Sequence, residues 1–232
     1  MPDLYDIILN EHNTLIAGCV GSGKTTLESG LIYRLATTTT PKETVLYLVD
    51  PKQFELRHFC RLPHCNMYAD TPEGALKVLD AVESLRAARS NWMKNHGLRR
   101  WTGNTIYLFI DELADLMTGP RPYVKEFTEK LAKIMQLGRA LNIRVIACTQ
   151  QPRREVTPAR IQVNFTANVA LHCRSAIESR QVLGTAGAEN LPRYGECILS
   201  AAGEITRHDV IPVPDDLIDQ LVSASQSVRL MA

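Results

Sequence analysis

The residues from Gly18 to Thr25 have the types and spacing of a phosphate-binding loop. They read Gly-Cys-Val-Gly-Ser-Gly-Lys-Thr and fit GxxxxGK[ST] at every defined position. Glycines let backbone N–H groups turn toward a phosphate, and the following helix adds the positive end of its dipole. Lys24 can reach the β- and γ-phosphates, and Thr25 can ligate Mg²⁺. The predicted nucleotide-binding residues are Gly18, Cys19, Val20, Gly21, Ser22, Gly23, Lys24, Thr25, Thr26 and Asp111.

Two adjacent acids, Asp111 and Glu112, follow an apolar run at 106–110. An apolar strand that ends in an acid is typical of a Walker B element. Asp111 would then orient the Mg²⁺ shell, and Glu112 would polarise the attacking water. The alternative is that the acids only favour the N-terminus of a helix beginning near Leu113. Because the phosphate loop independently requires a metal partner, the catalytic interpretation is favoured.

Polar residues also follow two other apolar runs. Asp50-Pro51-Lys52 comes after one run, and Thr149-Gln150-Gln151 after another. Ligands of open parallel sheets lie at the carboxyl ends of the strands, so Gln150 is placed to contact the γ-phosphate or the attacking water. These positions are equally compatible with ordinary polar loop residues.

The elements that must position these residues alternate along the chain between apolar runs and helical patterns. The apolar runs predict strands buried on both faces of a parallel sheet at 14–17, 44–49, 106–110 and 143–148. Helical spacing predicts helices at 73–89 and 123–141, and the segments 196–200 and 204–210 predict a hairpin. The predicted fold class is α/β, with a mostly parallel sheet flanked by helices and a C-terminal edge hairpin.

Composition excludes several classes of protein. The 232 residues are 45% hydrophobic and 22% charged with a net charge of +1, so a uniformly basic nucleic-acid-binding surface is excluded. Six cysteines without a CxxC pair predict reduced thiols and a cytoplasmic location. Neither a signal-peptide pattern nor a membrane-helix run is present, so we expect no direct membrane insertion. The length fits one domain at 1–214 and a short helix or tail at 215–232.

A set of motifs spans roughly residues 13–210 in a fixed order. It consists of Gly18 to Thr25, Val49 to Lys52 with Glu55-Leu56, Asp111 to Met117, Gly138 to Ala140, Ala147 to Pro152, Ser179-Arg180 and Gly187 to Leu191. In this order the motifs resemble the motor domain of the FtsK/SpoIIIE DNA translocases. The resemblance implies a RecA-like P-loop ATPase core, with the strand ending at Thr149 between the strands before Gly18 and Asp111. It also implies a hexameric ring that uses ATP and Mg²⁺ to drive double-stranded DNA through its pore, as in DNA segregation, conjugation or mobile-element and phage DNA transfer.

The resemblance also implies roles for single residues. Gly23, Lys24 and Thr25 would hold ATP and Mg²⁺, with Asp111 supporting the metal. Glu112 would activate water, and Gln150 would be the polar sensor.

Arg180 resembles the arginine that reaches a neighbouring subunit's nucleotide, where it would neutralise transition-state charge. Arg139, Arg160 and Arg174 are competitors for this role, and an exposed helix residue is the alternative for Arg180.

The chain also departs from the family pattern. It lacks a membrane-spanning region before the motor and a winged-helix module after it. We therefore expect a minimal motor that depends on separate targeting or membrane-anchoring proteins.

Positive charge is concentrated in two windows, 84–104 and 139–174, which contain a single acid, Glu155. Arg153 and Arg154 follow Gln150-Gln151-Pro152, and contacts with a DNA backbone need such cations. They are candidate DNA-binding residues, with subunit-interface or solvated charge as the alternative.

Three other hypotheses stay open at this point. His58, Cys60, His64 and Cys65 could ligate zinc, although their spacing matches no standard finger. A protein-secretion motor would use the same nucleotide site, and so would a nucleotide-dependent assembly switch.

Overall fold

The computed structural model describes residues 3–229. Within this range, eight strands form one sheet: β1 Asn13–Ala17, β2 Thr44–Val49, β3 Cys65–Ala69, β4 Thr105–Ile110, β5 Ile143–Thr149, β6 Ala167–Ala170, β7 Glu196–Ala201 and β8 Glu204–Asp209. The helices are α1 Leu4–Asn10, α2 Lys24–Thr38, α3 Pro72–Asn95, α4 Leu113–Leu116, α5 Arg121–Gly138, α6 Ala159–Gln162, α7 Ala176–Leu183 and α8 Asp215–Arg229. Short 3₁₀ turns occupy Arg57–Arg61, Arg139–Leu141 and Ala188–Asn190.

The strand order is β3-β2-β4-β5-β1-β6-β7-β8. The first six strands in this order are parallel, while β7 is antiparallel to β6 and to β8. Strand β5 therefore lies between β1 and β4, which confirms the expected insertion of the strand that ends at Thr149. The β7–β8 pair forms the predicted hairpin at one edge of the sheet.

Two apolar clusters cover the two faces of the sheet. Along β2, Leu46 and Leu48 belong to one cluster, and Tyr47 and Val49 belong to the other. Helices α1 and α2 contribute to the first cluster, and α3 and α5 to the second. Burial on both faces explains why the central strands are continuous apolar runs rather than alternating patterns.

The elements differ from the sequence predictions in a few places. Strands β3 and β6 have no predicted counterpart. Helix α3 continues to Asn95, six residues beyond its predicted end. The second predicted helix, 123–141, is α5 followed by the 3₁₀ turn Arg139–Leu141.

Helix α8 packs against the 3₁₀ turn Arg57–Arg61, and its Ile218 and Val222 are buried in the first apolar cluster. The assignment of 215–232 as a separate tail stays a prediction. Within residues 3–229, no helix has both the length and the apolar character needed to cross a bilayer.

Candidate nucleotide site

The polar residues predicted to act together follow strands that end at one edge of the sheet. Gly18 follows β1, Asp50 follows β2, Asp111 follows β4 and Gln150 follows β5. Because these four strands are parallel neighbours, their carboxyl ends deliver these residues to a common edge.

The phosphate loop is held in a conformation that requires glycine. Gly21 and Gly23 have φ of 76° and 92°, which is the left-handed region that side chains disfavour. A Cβ on Gly18 would lie 2.7 Å from the Leu171 Cβ. The Cys19 N–H donates to the His172 carbonyl at 2.9 Å, which fixes the loop to the segment after β6. Gly23, the N-cap of α2, provides no side-chain cap, so the first N–H groups of α2 remain able to bind an anion.

A cavity of about 530 Å³ opens over this loop. Its lining consists of Cys19, Val20, Gly21, Gly23, Lys24, Thr25, Thr26, Glu55, Gln150, Tyr194, Gly195, Val210 and Pro212. Seven of the predicted loop residues thus meet Gln150 at one cavity. The other predicted residues, Gly18, Ser22, Asp111 and Glu112, do not line it. The wall formed by Tyr194 and its neighbours at the base of the hairpin was not predicted from the sequence. The Tyr194 side chain is 71% exposed, so its ring can stack on a nucleotide base.

Lys24 is buried and pairs with the first acid after β4. Its Nζ donates to Asp111 Oδ1 at 2.5 Å and to the Asp111 carbonyl at 2.9 Å. Burial disfavours the ammonium, but Cys148, Glu28 and Asp111 outweigh that effect and raise the pKa of Lys24. Lys24 is therefore a fixed positive charge at the phosphate loop.

The residues present fit a Mg²⁺ ion. The buried Asp111 Oδ2 and Ser22 Oγ have no hydrogen-bond partner within the described residues, and Thr25 lines the cavity. Mg²⁺ prefers such oxygen ligands together with substrate phosphates.

Glu112 is only 2% exposed and is oriented by three neighbours. Its Oε1 accepts from Thr149 Oγ1 at 2.9 Å and from the Gln150 N–H at 3.2 Å. Lys52 Nζ lies 3.3 Å from Oε2. Lys52 and Thr149, which the sequence left as possible loop residues, are thus direct partners of the predicted base.

Glu28, one turn along α2 from Lys24, was not found from the sequence. It is fully buried, and neither carboxyl oxygen has a hydrogen-bond partner within residues 3–229. Burial and then the nearby Asp111 raise the pKa of Glu28 well above its usual range. Burial beneath the loop thus favours the neutral form of the Glu28 carboxyl, and Lys24 pairs with Asp111 rather than with Glu28.

The predicted arginines lie away from this cavity. Arg154 and Arg180 both line a separate cavity of about 340 Å³ with Gln162, Ile177 and Gln181. Arg153 is exposed in the preceding loop. Arg180 therefore does not line the nucleotide cavity of its own chain.

The competing arginines have other surroundings. Arg160 pairs with Glu129 at 3.7 Å, and Arg139 lies at the opposite edge of the sheet, before β5. The sequence missed Arg193, whose Nε would be 3.5 Å from a Cβ on Gly21.

The zinc hypothesis is wrong for the part of the chain that the structure describes. Within residues 3–229, no group of three or more His, Cys, Asp or Glu residues is arranged to hold a metal ion. His64 is buried, with its Nε2 2.9 Å from the Thr39 carbonyl.

The phosphate loop, the two acids and the sheet order together define a P-loop ATPase of the α/β class. Comparisons with known proteins extend this classification. Residues 2–107 match the model of the FtsK/SpoIIIE family. DNA translocase FtsK of Staphylococcus epidermidis is 31% identical over 225 residues, which cover 88% of this chain and 28% of that protein. These matches confirm the resemblance to the FtsK/SpoIIIE family. The chain thus spans less than a third of the length of this relative.

Solved structures support the same fold. One is the conjugation coupling protein TcpA of pCW3, determined with ATPγS, which has a TM-score of 0.81 at 19% identity. The alignment covers 94% of this chain and 66% of the TcpA chain. The cytoplasmic domain of the type VII secretion ATPase EccC from Thermomonospora curvata has a TM-score of 0.76 at 24% identity. The alignment covers 92% of this chain and 28% of the EccC chain.

Proposed function

We propose that the chain is the motor of an ATP-driven double-stranded DNA translocase that works as a hexameric ring in the cytoplasm. The observation that carries the proposal is the contact of Glu112 with Thr149 and Gln150 beside the Lys24–Asp111 pair. This arrangement supplies a phosphate cradle and a positioned base at one sheet edge. The similarity to DNA translocase FtsK supports DNA as the moved substrate. DNA segregation, conjugation and mobile-element or phage DNA transfer are the processes that would use such a motor.

The chemistry follows from the positions of the side chains. The loop N–H groups and Lys24 bind the ATP phosphates, and Tyr194 stacks on the base. Glu112 accepts a proton from the attacking water, while Gln150 orients that water or the γ-phosphate. Thr25 and Asp111 would hold Mg²⁺, which neutralises charge on the phosphate oxygens when it is bound.

The assignments beyond the nucleotide site belong to the same proposal. Arg180 would reach the nucleotide of a neighbouring subunit, and Arg153 and Arg154 would contact the DNA backbone in the pore. Separate proteins would supply targeting or membrane anchoring.

The test is ATP turnover with and without duplex DNA, at protein concentrations where a mass measurement shows oligomers. We expect DNA to increase turnover, and Glu112→Gln to bind ATP but lose at least ~100-fold in turnover, the contribution of a general base. Asp115→Asn is the control, because Asp115 is an exposed acid nearby. DNA-independent turnover by an assembled ring would reject the translocase.

Two other functions predict different results in the same assay. A protein-secretion motor, suggested by the fold shared with EccC, would respond to a signal peptide and not to DNA. An assembly switch would keep its function in the Glu112→Gln variant.

A further inference from the structure

A second large cavity lies at the sheet edge opposite the nucleotide site. Its volume is about 600 Å³. It is lined by Asn10, His12, Arg99, Arg100, Trp101, Gln136, Leu137, Arg139, Ala140, Asn142 and Arg144. His12 immediately precedes β1, and Asn142 immediately precedes β5, so the cavity lies at the N-terminal ends of the strands whose other ends carry the phosphate loop and Gln150. These strands have five and seven residues, so at ~3.3 Å per residue they separate the two sites by roughly 17–23 Å. We call this cavity the basic groove.

The lining of the basic groove carries positive charge and no negative charge. The four arginines Arg99, Arg100, Arg139 and Arg144 line it, and no acid does. Within the described residues, none of these arginines makes an ion pair. The two basic windows of the sequence, which are far apart along the chain, therefore meet here.

Several nitrogen atoms in the basic groove lack a hydrogen-bond partner. Arg144 Nε and Nη1 and His12 Nδ1 are buried and have none within residues 3–229. Burial, then Arg139 and Arg144, lower the pKa of His12, while the nearby Glu11 opposes them. Arg144 also borders a neighbouring cavity with Asp6 and Glu43, but neither acid pairs with it. The Arg144 N–H groups are buried donors without a partner, which is costly, so this arrangement favours an anionic ligand.

The wall that carries Arg99 and Arg100 is held in place. The Trp101 N–H donates to the Ala140 carbonyl at 2.8 Å, which joins the loop after α3 to the 3₁₀ turn Arg139–Leu141. The buried Arg89 donates to the Leu141 carbonyl at 2.5 Å and to Asn104 Oδ1 at 2.8 Å. Its guanidinium also lies 4.8 Å from the centre of the Trp101 ring. The three segments that contribute arginines are thus joined into one surface.

We propose that the basic groove is a second phosphate-binding site, which takes the phosphodiester backbone of duplex DNA. The choice of DNA as the ligand rests on the proposed translocase function. Arg99, Arg100 and Arg139 are exposed on this open surface, which suits contacts with the phosphates of a DNA backbone. The groove has no glycine in its lining, whereas the phosphates of a compact nucleotide are typically bound by a glycine-rich nest such as the one at Gly18.

The experiment measures binding of a short fluorescent duplex by anisotropy over a range of salt concentrations, with MgADP filling the nucleotide site. Arg99→Gln/Arg100→Gln is compared with Arg57→Gln/Arg61→Gln, a control that removes the same charge from exposed positions outside both cavities. Light scattering and thermal melts of all variants report assembly and folding. Tripolyphosphate, offered without DNA to the wild type with MgADP filling the nucleotide site, tests a small polyphosphate as the ligand of the groove.

We expect the groove variant to bind DNA about 10-fold or more weakly, and the salt slope to fall by about one for each DNA phosphate that the variant no longer neutralises. The control should match the wild type. Equal losses of affinity in both variants, or no loss in the groove variant while the wild type binds DNA, would reject the groove and leave the translocase standing. Loss of oligomers alone would make the groove a subunit interface instead. A wild type that binds tripolyphosphate but not DNA would overturn both proposals.

Discussion

At the scale of single residues, Cys19 offers a direct report on the nucleotide cavity. Cys19 and Cys60 are partly exposed, while the other four cysteines are buried. Cys19 lines the cavity and Cys60 does not. We therefore expect two thiols to react quickly with a thiol reagent in the native protein, and MgATP to protect one of them. Labelling of Cys19→Ser and Cys60→Ser identifies that thiol, and protection of Cys60 in place of Cys19 would contradict the assigned cavity.

Arg193 is a second residue whose position makes a prediction. Its exposed guanidinium lies beside Gly21 of the phosphate loop, where it can donate charge-assisted hydrogen bonds to a phosphate. Arg193→Gln should weaken MgATP binding about 10- to 100-fold, because such a bond contributes about 1.5–3 kcal/mol. Titration with a fluorescent ATP analogue measures this effect. Arg207→Gln, in the exposed hairpin, is the matched control, and equal affinities for the two variants would exclude Arg193 from the site.

At this scale, the sequence predicts a site well only when its residues are close together along the chain. The phosphate loop is continuous in the chain, so its spacing alone identifies it. Arg193 and Glu28 carry no such signal, because their roles arise only when the fold brings them to the loop or buries them. Arg139 shows that a motif can also mislead. Its motif made it a candidate for the arginine that reaches a neighbouring nucleotide, but the topology places it at the opposite edge of the sheet.

At the scale of elements, the central strands were predictable and the marginal ones were not. The interior strands β2, β4 and β5 are buried on both faces, so their apolar runs are continuous. Strand β3 lies at the edge of the sheet and contains the exposed Asn66. Strand β6 has only four residues. Neither produces a periodic pattern long enough to distinguish it from a loop.

The burial of Cys197 in β7 should make the stability of the protein depend on pH in the alkaline range. Burial, then Asp209 and Glu196, raise the pKa of Cys197 to about 12, whereas an unfolded thiol ionises near the model-peptide value of ~8.5. The neutral thiol thus adds stability that is fully present below about pH 8.5 and is lost as pH rises toward 12.

Cys197→Ala should lower the melting temperature at pH 7.5, since it leaves a small cavity. The difference from wild type should shrink between pH 8.5 and 10.5, because the variant has no thiol to ionise in its unfolded state. Melting curves across this range measure it, with the partly exposed Cys60→Ala as the control. A difference that stays constant with pH would contradict a buried neutral thiol.

At the scale of the whole molecule, the sheet separates two kinds of positive charge. One edge carries Lys24 and the loop N–H groups at the candidate nucleotide cavity, and the other carries the basic groove. The net charge of +1 hides both, because opposite charges elsewhere cancel them. Arg154 and Arg180 share a third cavity, outside the nucleotide site of their own chain. If Arg180 completes a nucleotide site, as we propose, that site belongs to another molecule, as it would in a head-to-tail ring.

Mixing two inactive variants tests that arrangement. Lys24→Ala lacks a nucleotide site but keeps Arg180, and Arg180→Ala keeps the nucleotide site but lacks the arginine. If Arg180 acts on a neighbour, a mixed oligomer contains complete sites wherever an Arg180→Ala nucleotide site faces a Lys24→Ala subunit. Random mixing in equal amounts makes about a quarter of the interfaces complete, so we expect DNA-stimulated turnover up to about that fraction of wild type. The control mixes Lys24→Ala with Arg160→Ala, which removes the partner of Glu129. Its turnover should be close to that of wild type mixed with Lys24→Ala in the same proportion. An inactive mixture in which both variants assemble would show that Arg180 does not act across the interface.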